Sequence, residues 1–415
     1  MKIGKEKIKG FSLILSWALY DLANQFFALN VVSMYFVRWL TLEKQRPEIL
    51  YSIAFGISTF FVAISSPLLG AISDITSRRR PFLVYLTLLS VIFTMPLGIN
   101  NIFLALVFFV VANFGCQTAI VFYNAQMVDI TPKNKIGLVS GFGRMFGYTG
   151  AILALYLIKP IVLKYGYQAT FLPTAFLFLI FSLPCMIFIK DKNPKGKISL
   201  IYFFKKERLQ EIFKSLKATV FGVQKFPGLL DFLKASFFGL SAINAVILFM
   251  SVYATKVFSL NEEQIIHLVG FSTIFAILGS FFSGFLSDYI GHKQSMGIVF
   301  ILWAFCFFCG AFLKDVSLYW VAGALVGLSL GATWVVARAL AIKLVPEEKM
   351  GEVFGLFSFV GYIAAAIGAL FWGLMLLLLA PFGVWGYRFT LLSLTSFMFI
   401  AYLYILRIPN IKKKA

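Results

Sequence analysis

The chain contains few charged residues, and acidic residues are the scarcest of them. Only 13% of its 415 residues are charged and 60% are hydrophobic, whereas soluble domains have about 25% and about 45–50%. A soluble fold of this composition would expose large apolar patches, so the chain is not an ordinary soluble protein. Its apolar surface suits a lipid bilayer, whose acyl chains are themselves apolar.

Histidine and cysteine are also scarce. The chain has two His and four Cys residues, and every Cys lies inside an apolar stretch. This excludes a disulfide framework and a zinc site, so we predict no metal and no cofactor. The sequence lacks an H-E-x-x-H motif, paired catalytic carboxylates, a Ser-His arrangement and a Walker sequence. We therefore predict that the chain is not an enzyme and is not driven by ATP.

The net charge of +20 does not indicate a nucleic-acid partner. The basic residues form short runs between long apolar segments, which is how membrane proteins mark their cytoplasmic loops. The expected partners are the lipid bilayer, a small-molecule substrate and protons, and we expect a monomer.

Twelve apolar segments are long enough to cross a bilayer as helices, because a hydrocarbon core of about 30 Å requires about 20 helical residues. The candidate spans are 11–40, 49–73, 81–99, 102–127, 136–159, 168–190, 229–257, 265–287, 295–313, 317–342, 351–380 and 386–408. We predict an N-terminal six-helix bundle at 1–190 and a C-terminal six-helix bundle at 229–415. The Lys-rich linker at 191–228 contains apolar residues at helical spacing over 199–225, which indicates an amphipathic helix on the inner leaflet.

The distribution of basic residues predicts the orientation in the membrane. If the N-terminus is cytoplasmic, 25 basic residues flank the spans on that side and 8 on the other. The positive-inside rule therefore places both termini in the cytoplasm, with the chain in the cell (inner) membrane. An even number of spans independently requires the two termini to share a side.

A repeat relates the two halves at a fixed offset of 214 residues. The coinciding pairs include Gly56 and Gly270, Ser66 and Ser280, Gly70 and Gly284, Asp74 and Asp288, Pro132 and Pro346, and Gly147 and Gly361. Because six spans are an even number, both copies insert with the same orientation, as parallel repeats. Major facilitator transporters are built this way, with the substrate site between the halves near the midplane.

Two loops with one pattern follow the second and the eighth span. They read GAISDITSRRR from Gly70 and GFLSDYIGHK from Gly284, and Ser77 stands where the pattern usually has Gly. The pattern resembles the signature loop of the major facilitator superfamily. In such a loop a Gly permits close helix approach, an Asp caps a helix N-terminus, and basic residues bind cytoplasmic carboxylates. The cytoplasmic gate that this resemblance implies comprises Gly70, Asp74, Arg78, Arg79, Asp129, Gly284, Asp288, Gly291 and Lys293.

The first span reads SWALYDLANQFFA over residues 16–28. It resembles the W-x-x-Y-D-x-A-N opening of the vacuole-effluxer-like family, the prokaryotic relatives of the fungal vacuolar amino-acid effluxer. The segment Phe122–Ala125 and Arg338 ahead of LVPE resemble the same family. Leu22 stands where an aromatic residue is usual and Gln25 where Ser is usual, which leaves the substrate open. The resemblance implies an all-α membrane protein of twelve helices that exports amino acids.

Asp21 lies about ten residues into the first span, near the middle of the membrane. A carboxylate there costs about 2.5–3.5 kcal/mol on insertion scales and is by default a functional-site hypothesis. Asn24 and Gln25 share its helix face, and Arg144 could pair with Asp21 or with Asp129. The further substrate or coupling candidates are polar residues of other spans, namely Asn113, Gln117, Asn124, Asn244 and Arg338. The alternative for each is a structural role, as a hydrogen-bonded Asp or as a helix-packing amide.

Together these features predict a secondary active transporter that moves a small solute by alternating access. An amino acid, or another small zwitterion or anion, is the expected solute, and protons are the expected coupling ion. Two alternatives stay open from the residues alone. One is a transporter-fold receptor or scaffold that does not transport, and the other is a facilitator for a different class of solute.

The predicted topology can be tested by labelling single cysteines in a variant that lacks the four native Cys residues. A Cys introduced at Lys195 should react with a membrane-impermeant maleimide only after the cells are permeabilised, because the linker is predicted to be cytoplasmic. A Cys at Lys164, on the other predicted side, should react in intact cells and is the control. Reaction at Lys195 in intact cells would contradict the topology.

Overall fold

The computed structural model describes residues 2–76, 78–130, 136–191, 226–313, 318–345 and 350–409. These residues form twelve helical segments. Their bounds are α1 Lys2–Gln25, α2 Glu48–Thr76, α3 Arg80–Thr94, α4 Ile102–Ile130, α5 Ile136–Tyr165, α6 Phe171–Phe188, α7 Leu229–Phe258, α8 Glu262–Ile290, α9 His292–Phe312, α10 Leu318–Leu344, α11 Met350–Leu378 and α12 Val384–Arg407. The predicted all-α fold is confirmed, with one helical segment at each predicted span.

Ten segments of the described chain are long and apolar enough to cross a membrane. The other two are α1 and the short helix α3. The helix α3 has 15 residues and continues into a turn at 95–98. In the first span, which was predicted at 11–40, the regular α-helix α1 ends at Gln25, near the middle of the span.

That second half of the first span is mainly π-helical. A π-helix runs over Phe26–Tyr35, and after one α-helical turn a second π-helix covers Trp39–Glu43. Stacking on aromatic rings of α6 holds the first π-helix in place, with 5.5 Å between the ring centres of Phe26 and Phe181. π-Helices usually occur as single turns near functional sites. This one begins directly after the polar residues of α1.

Local capping explains why one helix begins earlier than predicted. The α8 span was predicted from 265, but the helix begins at Glu262. The Asn261 side chain accepts from the Gln264 backbone N–H at 2.9 Å, and Gln264 accepts from the Asn261 N–H at 3.0 Å. This capping box, with two acidic residues in the first turn, stabilises a polar helix start that hydropathy does not detect.

The chain divides into two compact units. Unit 1 comprises Met1–Gln45 and Ile57–Ile212, and unit 2 comprises Arg46–Gly56 and Phe213–Ala415. The first turns of α2 thus belong to unit 2, where the Tyr387 hydroxyl donates a hydrogen bond to the Glu48 carboxylate. The predicted boundaries at 190 and 229 stay a prediction, and the amphipathic segment 199–225 lies outside the described residues.

Small residues bring α8 and α10 together within unit 2. Gly323, Gly327 and Gly331 lie one turn apart on α10, and a Cβ atom on any of them would collide with α8. The opposing α8 positions are occupied by the small residues Ser272, Ala276 and Ser280 and by Leu268 and Phe275. At Gly331 the colliding atom is the backbone carbonyl oxygen of Ala276, which cannot rotate away. Close backbone approach through small residues is the usual way helices associate in membranes.

This packing predicts a large difference between two Gly→Ala substitutions in unit 2. Gly331→Ala should lower the Tm of the detergent-purified protein, because relieving the collision with α8 costs about 1–3 kcal/mol or more. Gly355→Ala is the control, since a Cβ there has no neighbour within 4 Å, and Ala is the better helix former. Equal Tm values for the two variants, measured by tryptophan fluorescence, would contradict the described packing.

Candidate functional site

The carboxylate of Asp21 lies against bare backbone of α5 within unit 1. A Cβ atom on Gly147 would lie 3.0 Å from Asp21 Oδ2 and 3.3 Å from Cγ, so the absence of a side chain at Gly147 makes room for the carboxylate. Asp21 is half-buried rather than sealed in the core. The carboxylate therefore occupies a partly open position beside α5, as expected for a group that meets a solute or a proton.

A stack of three aromatic rings lies next to this carboxylate. The Tyr123 ring of α4 stacks on Trp17 at 4.5 Å between ring centres and on Tyr20 at 5.0 Å. Two hydrogen bonds fix the stack: Trp17 Nε1 donates to the Tyr123 carbonyl oxygen at 2.9 Å, and the Tyr20 hydroxyl pairs with Thr87 at 2.5 Å. All three rings are at most 3% exposed and belong to the apolar core of unit 1. They form a rigid wall for the site.

The packed helices α1 and α5 carry an acidic and a basic residue near this wall. Asp21 of α1 lies against Gly147, and Arg144 directly follows Gly143, where a Cβ atom would lie 3.4 Å from the Tyr123 hydroxyl oxygen. Arg144 is exposed, and it lies three residues before Gly147 on α5. Unit 1 thus has an acidic residue on α1 and a basic residue on the part of α5 that packs near it.

The predicted amides of unit 1 fall into two groups. Asn24 and Asn113 are buried: Asn24 accepts a weak 3.8 Å hydrogen bond from Cys116 Sγ, and Asn113 donates to Ser58 Oγ at 2.7 Å. Asn113 thereby joins α4 to α2. This contact agrees with the alternative that this amide serves helix packing rather than solute binding. The second group is more open, with Gln25 and Gln117 half-buried and Asn124 exposed.

The two predicted site residues of the second half belong to unit 2. Asn244 of α7 donates to the Leu240 carbonyl of its own helix at 2.8 Å, and Arg338 is half-buried on α10. Their part in a common site with Asp21 stays a prediction.

The first gate loop is held by helix ends of unit 1. Asp191 Oδ1 accepts hydrogen bonds from the backbone N–H groups of Arg79 at 2.9 Å and Arg80 at 2.8 Å. The two guanidinium groups donate to backbone carbonyls near the ends of neighbouring helices, Arg79 to Ala125 at 2.9 Å and Arg80 to Met186 at 2.6 Å. The acid that caps α3 is therefore Asp191, which the sequence analysis did not single out. Arg78 is half-buried, and the surroundings of Gly70, Asp74 and Asp129 lie outside what the structure describes.

The second gate loop in unit 2 depends on a Gly conformation. Gly291 has φ +99°, a value that L side chains rarely adopt, and it separates α8 from α9. Ser287 Oγ hydrogen-bonds His292 Nδ1 at 2.6 Å across this turn, while Asp288 is exposed and Lys293 half-buried. Around Gly284 only Val335 approaches, at 4.0 Å from a Cβ placed there. Within the described part of unit 2, no neighbouring helix therefore packs so closely on Gly284 that a larger side chain would collide with it.

Two residues of these clusters escaped the sequence analysis. Asp191 stands directly after the sixth span in a chain with only 17 acidic residues. The scarcity of acidic residues could have indicated that Asp191 has a specific role. Tyr123 was noted only as part of a family motif. Nothing in its spacing shows that it stacks on Trp17, because the two residues are 106 positions apart.

The fold, in which ten helices of the described chain are long and apolar enough to cross a membrane, defines a multi-pass membrane protein. The chain resembles the crystal structure of a bacterial homologue of the human lysosomal transporter Spinster, with a TM-score of 0.72 over 97% of this chain and 96% of the other. For the nucleoside transporter NupG the TM-score is 0.66 over 96% of this chain and 98% of the other. Sequence identity to each is 14%, so these structures show the fold alone.

A family model that matches most of the chain identifies the family, and two sequence relatives accompany it. An Aquifex aeolicus (strain VF5) protein is 28% identical over 377 residues, 90% of this chain and 91% of its own length. The Bacillus subtilis (strain 168) protein named "Uncharacterized MFS-type transporter YxiO" is 25% identical over 380 residues, 86% of each chain. The family model described as "Vacuole effluxer Atg22 like" matches residues 37–412, and the chain belongs to this family. The predicted family is thereby confirmed.

The position of Asp21 against α5 predicts different effects for two repeat-related glycines. Gly147→Ala should reduce transport several-fold, because the new methyl group displaces the Asp21 carboxylate. The Tm should change little, since a carboxylate at the end of a side chain can rotate away. Gly361→Ala is the matched control, because a Cβ there would make an ordinary 3.8 Å contact with Leu240. Uptake into proteoliposomes checks both variants, and equal rates would contradict a role for the Asp21–Gly147 contact.

Proposed function

We propose that the chain is a secondary active transporter that moves a small zwitterionic or anionic solute, such as an amino acid, by alternating access coupled to protons. The supporting observation is the half-buried Asp21 carboxylate against Gly147 of α5, the helix that also carries Arg144. The location in the cell inner membrane, with both termini cytoplasmic, belongs to this proposal. So does the identity of the solute.

Electrostatic cost is the first argument for this proposal. A carboxylate near the middle of a membrane helix is expensive, and such groups usually line a substrate or ion pathway. In unit 1 the Asp21 carboxylate lies against Gly147, near the buried rings of Trp17, Tyr20 and Tyr123. A purely structural role would be served equally well by an uncharged hydrogen-bonding residue, which costs less to insert.

The chemistry of the site supports the choice of solute. A solute with an ammonium and a carboxylate group could place the first near Asp21 and the second near Arg144. An amino acid meets this requirement, because it carries one group of each charge. An uncharged solute would form an ion pair with neither side chain.

Proton coupling follows from the position of Asp21 if the cavity alternates. A carboxylate near a cation favours the ionised form, whereas an apolar surrounding favours the protonated form. The π-helix that begins at Phe26 gives the first span a second backbone geometry directly after Asp21. A rearrangement at this point could carry Asp21 from one surrounding to the other and so load or release a proton.

The proposal predicts a separation of binding from coupling in Asp21→Asn. The variant should lose accumulation driven by a pH gradient but keep solute binding and exchange, because Asn has the shape of Asp without its ionisable proton. Proteoliposomes assayed with a panel of the twenty L-amino acids, with and without a pH gradient, provide the measurement. Asp231→Asn, in the first turn of α7, is the control and should behave like the wild type.

Three outcomes would count against the proposal. If Asp21→Asn still accumulates solute in response to the gradient, Asp21 is structural and protons are not coupled through it. If the wild type exchanges solute but never accumulates it, the chain is a facilitator. If it neither binds nor transports any member of the panel, the amino-acid assignment fails and the receptor or scaffold alternative gains support.

A further inference from the structure

The hydroxyl group of Tyr123 has an unusual environment for a buried polar group. Tyr123 is 2% exposed, and its hydroxyl has no hydrogen-bond partner among the residues that the structure describes. Burying a hydroxyl without a partner destabilises a protein, and buried polar groups are normally satisfied. A group of this kind next to a charged cluster is a candidate for binding something that the protein chain does not supply.

The hydroxyl is not needed to hold the Tyr123 ring in place. The ring is fixed by its stacking on Trp17 and Tyr20, and its backbone carbonyl is fixed by the Trp17 indole N–H. Tyr20 provides a contrast within the same stack, because its hydroxyl is paired with Thr87. A phenylalanine at this position would keep the stacking and the backbone hydrogen bond and lose only the hydroxyl.

The hydroxyl lies close to the backbone of α5 at Gly143. A Cβ atom on Gly143 would lie 2.5 Å from Trp17 Cζ3 and 3.4 Å from the Tyr123 hydroxyl oxygen, so the Trp17 ring occupies the space that this glycine leaves. Gly147 follows one turn later beside Asp21, and Arg144 lies between the two glycines in sequence. The hydroxyl is thus packed beside the Trp17 ring and α5, and its hydrogen-bonding capacity is unused among the described residues.

We propose that the Tyr123 hydroxyl is a specificity-determining group that donates a hydrogen bond to a carboxylate oxygen of the transported solute. This inference rests on the proposed function and adds the residue that recognises the carboxylate. A phenol O–H donates well to an anionic oxygen, and charge-assisted hydrogen bonds are stronger than neutral ones. Arg144 attracts the same carboxylate electrostatically, while the hydroxyl distinguishes it from a neutral carboxamide.

The test compares Tyr123→Phe with Tyr253→Phe in the purified full-length protein; Tyr253 is a buried tyrosine of α7 whose hydroxyl donates to the Gly310 carbonyl oxygen at 2.8 Å. Each of the twenty L-amino acids and its amide is titrated, and the Tm and the apparent Kd are measured. Tyr123→Phe should keep or raise the solute-free Tm, because it removes an unsatisfied buried hydroxyl. Its affinity for the amino acid that the wild type binds should fall about tenfold, the loss of one hydrogen bond. Its affinity for the corresponding amide should change less.

The control should show the opposite pattern. Tyr253→Phe breaks the hydrogen bond from the buried Tyr253 hydroxyl to the Gly310 carbonyl oxygen in unit 2. Its solute-free Tm should therefore fall, while its amino-acid affinity stays at the wild-type value. If Tyr123→Phe instead lowers the Tm and binds as the wild type does, the hydroxyl is structural and this inference is wrong, although the proposed function stands. If the wild type binds none of the amino acids or amides, the proposed function fails, and this inference fails with it.

Discussion

The close packing of α1 against α5 is the contact on which the candidate site depends. Three glycines of α5 make it possible: Gly143 faces the Trp17 ring, Gly147 the Asp21 carboxylate and Gly150 the backbone of Leu22. A Cβ atom at Gly150 would lie 2.5 Å from the Leu22 carbonyl oxygen, so the two backbones almost touch. In a membrane such approach replaces the hydrophobic effect as a source of helix association. It also holds a charged side chain and three aromatic rings in a fixed relation.

Unit 2 uses the same packing chemistry with different neighbours. Gly368 of α11 approaches the backbone of Ser241 on α7, as Gly150 approaches Leu22 in unit 1. The position related to Gly147 by the repeat is Gly361, and its nearest neighbour is the apolar Leu240 rather than a carboxylate. Both units thus use close backbone approach between their first and fifth helices, although Gly368 lies one turn beyond Ala364, the position that the repeat relates to Gly150. Position 235, which the repeat relates to Asp21, is Ala, so the carboxylate is found only in the unit 1 copy.

The helices could be predicted because hydropathy and length act along the chain and need no knowledge of neighbours. Errors arose where a local interaction competes with hydropathy, as in the capping box that begins α8 at Glu262. The π-helix at Phe26–Tyr35 could not be predicted, since its residues suit an α-helix equally well and its backbone geometry depends on tertiary packing. Asn113 shows the limit for single side chains, because spacing cannot tell an amide that lines a cavity from one that bonds Ser58 across two helices.

The sequence by itself determined the class of the protein, its twelve helices and its family, because composition, span length and motif spacing are properties of the chain alone. It also drew attention to Asp21, since a carboxylate in an apolar span is costly wherever its helix packs. Only the tertiary structure decided which groups surround that carboxylate. Tyr123 and Asp191 contact partners 106 and 112 positions away, and Gly147 faces a side chain of another helix. Such contacts depend on how side-chain shapes fit across helices, which linear spacing does not encode.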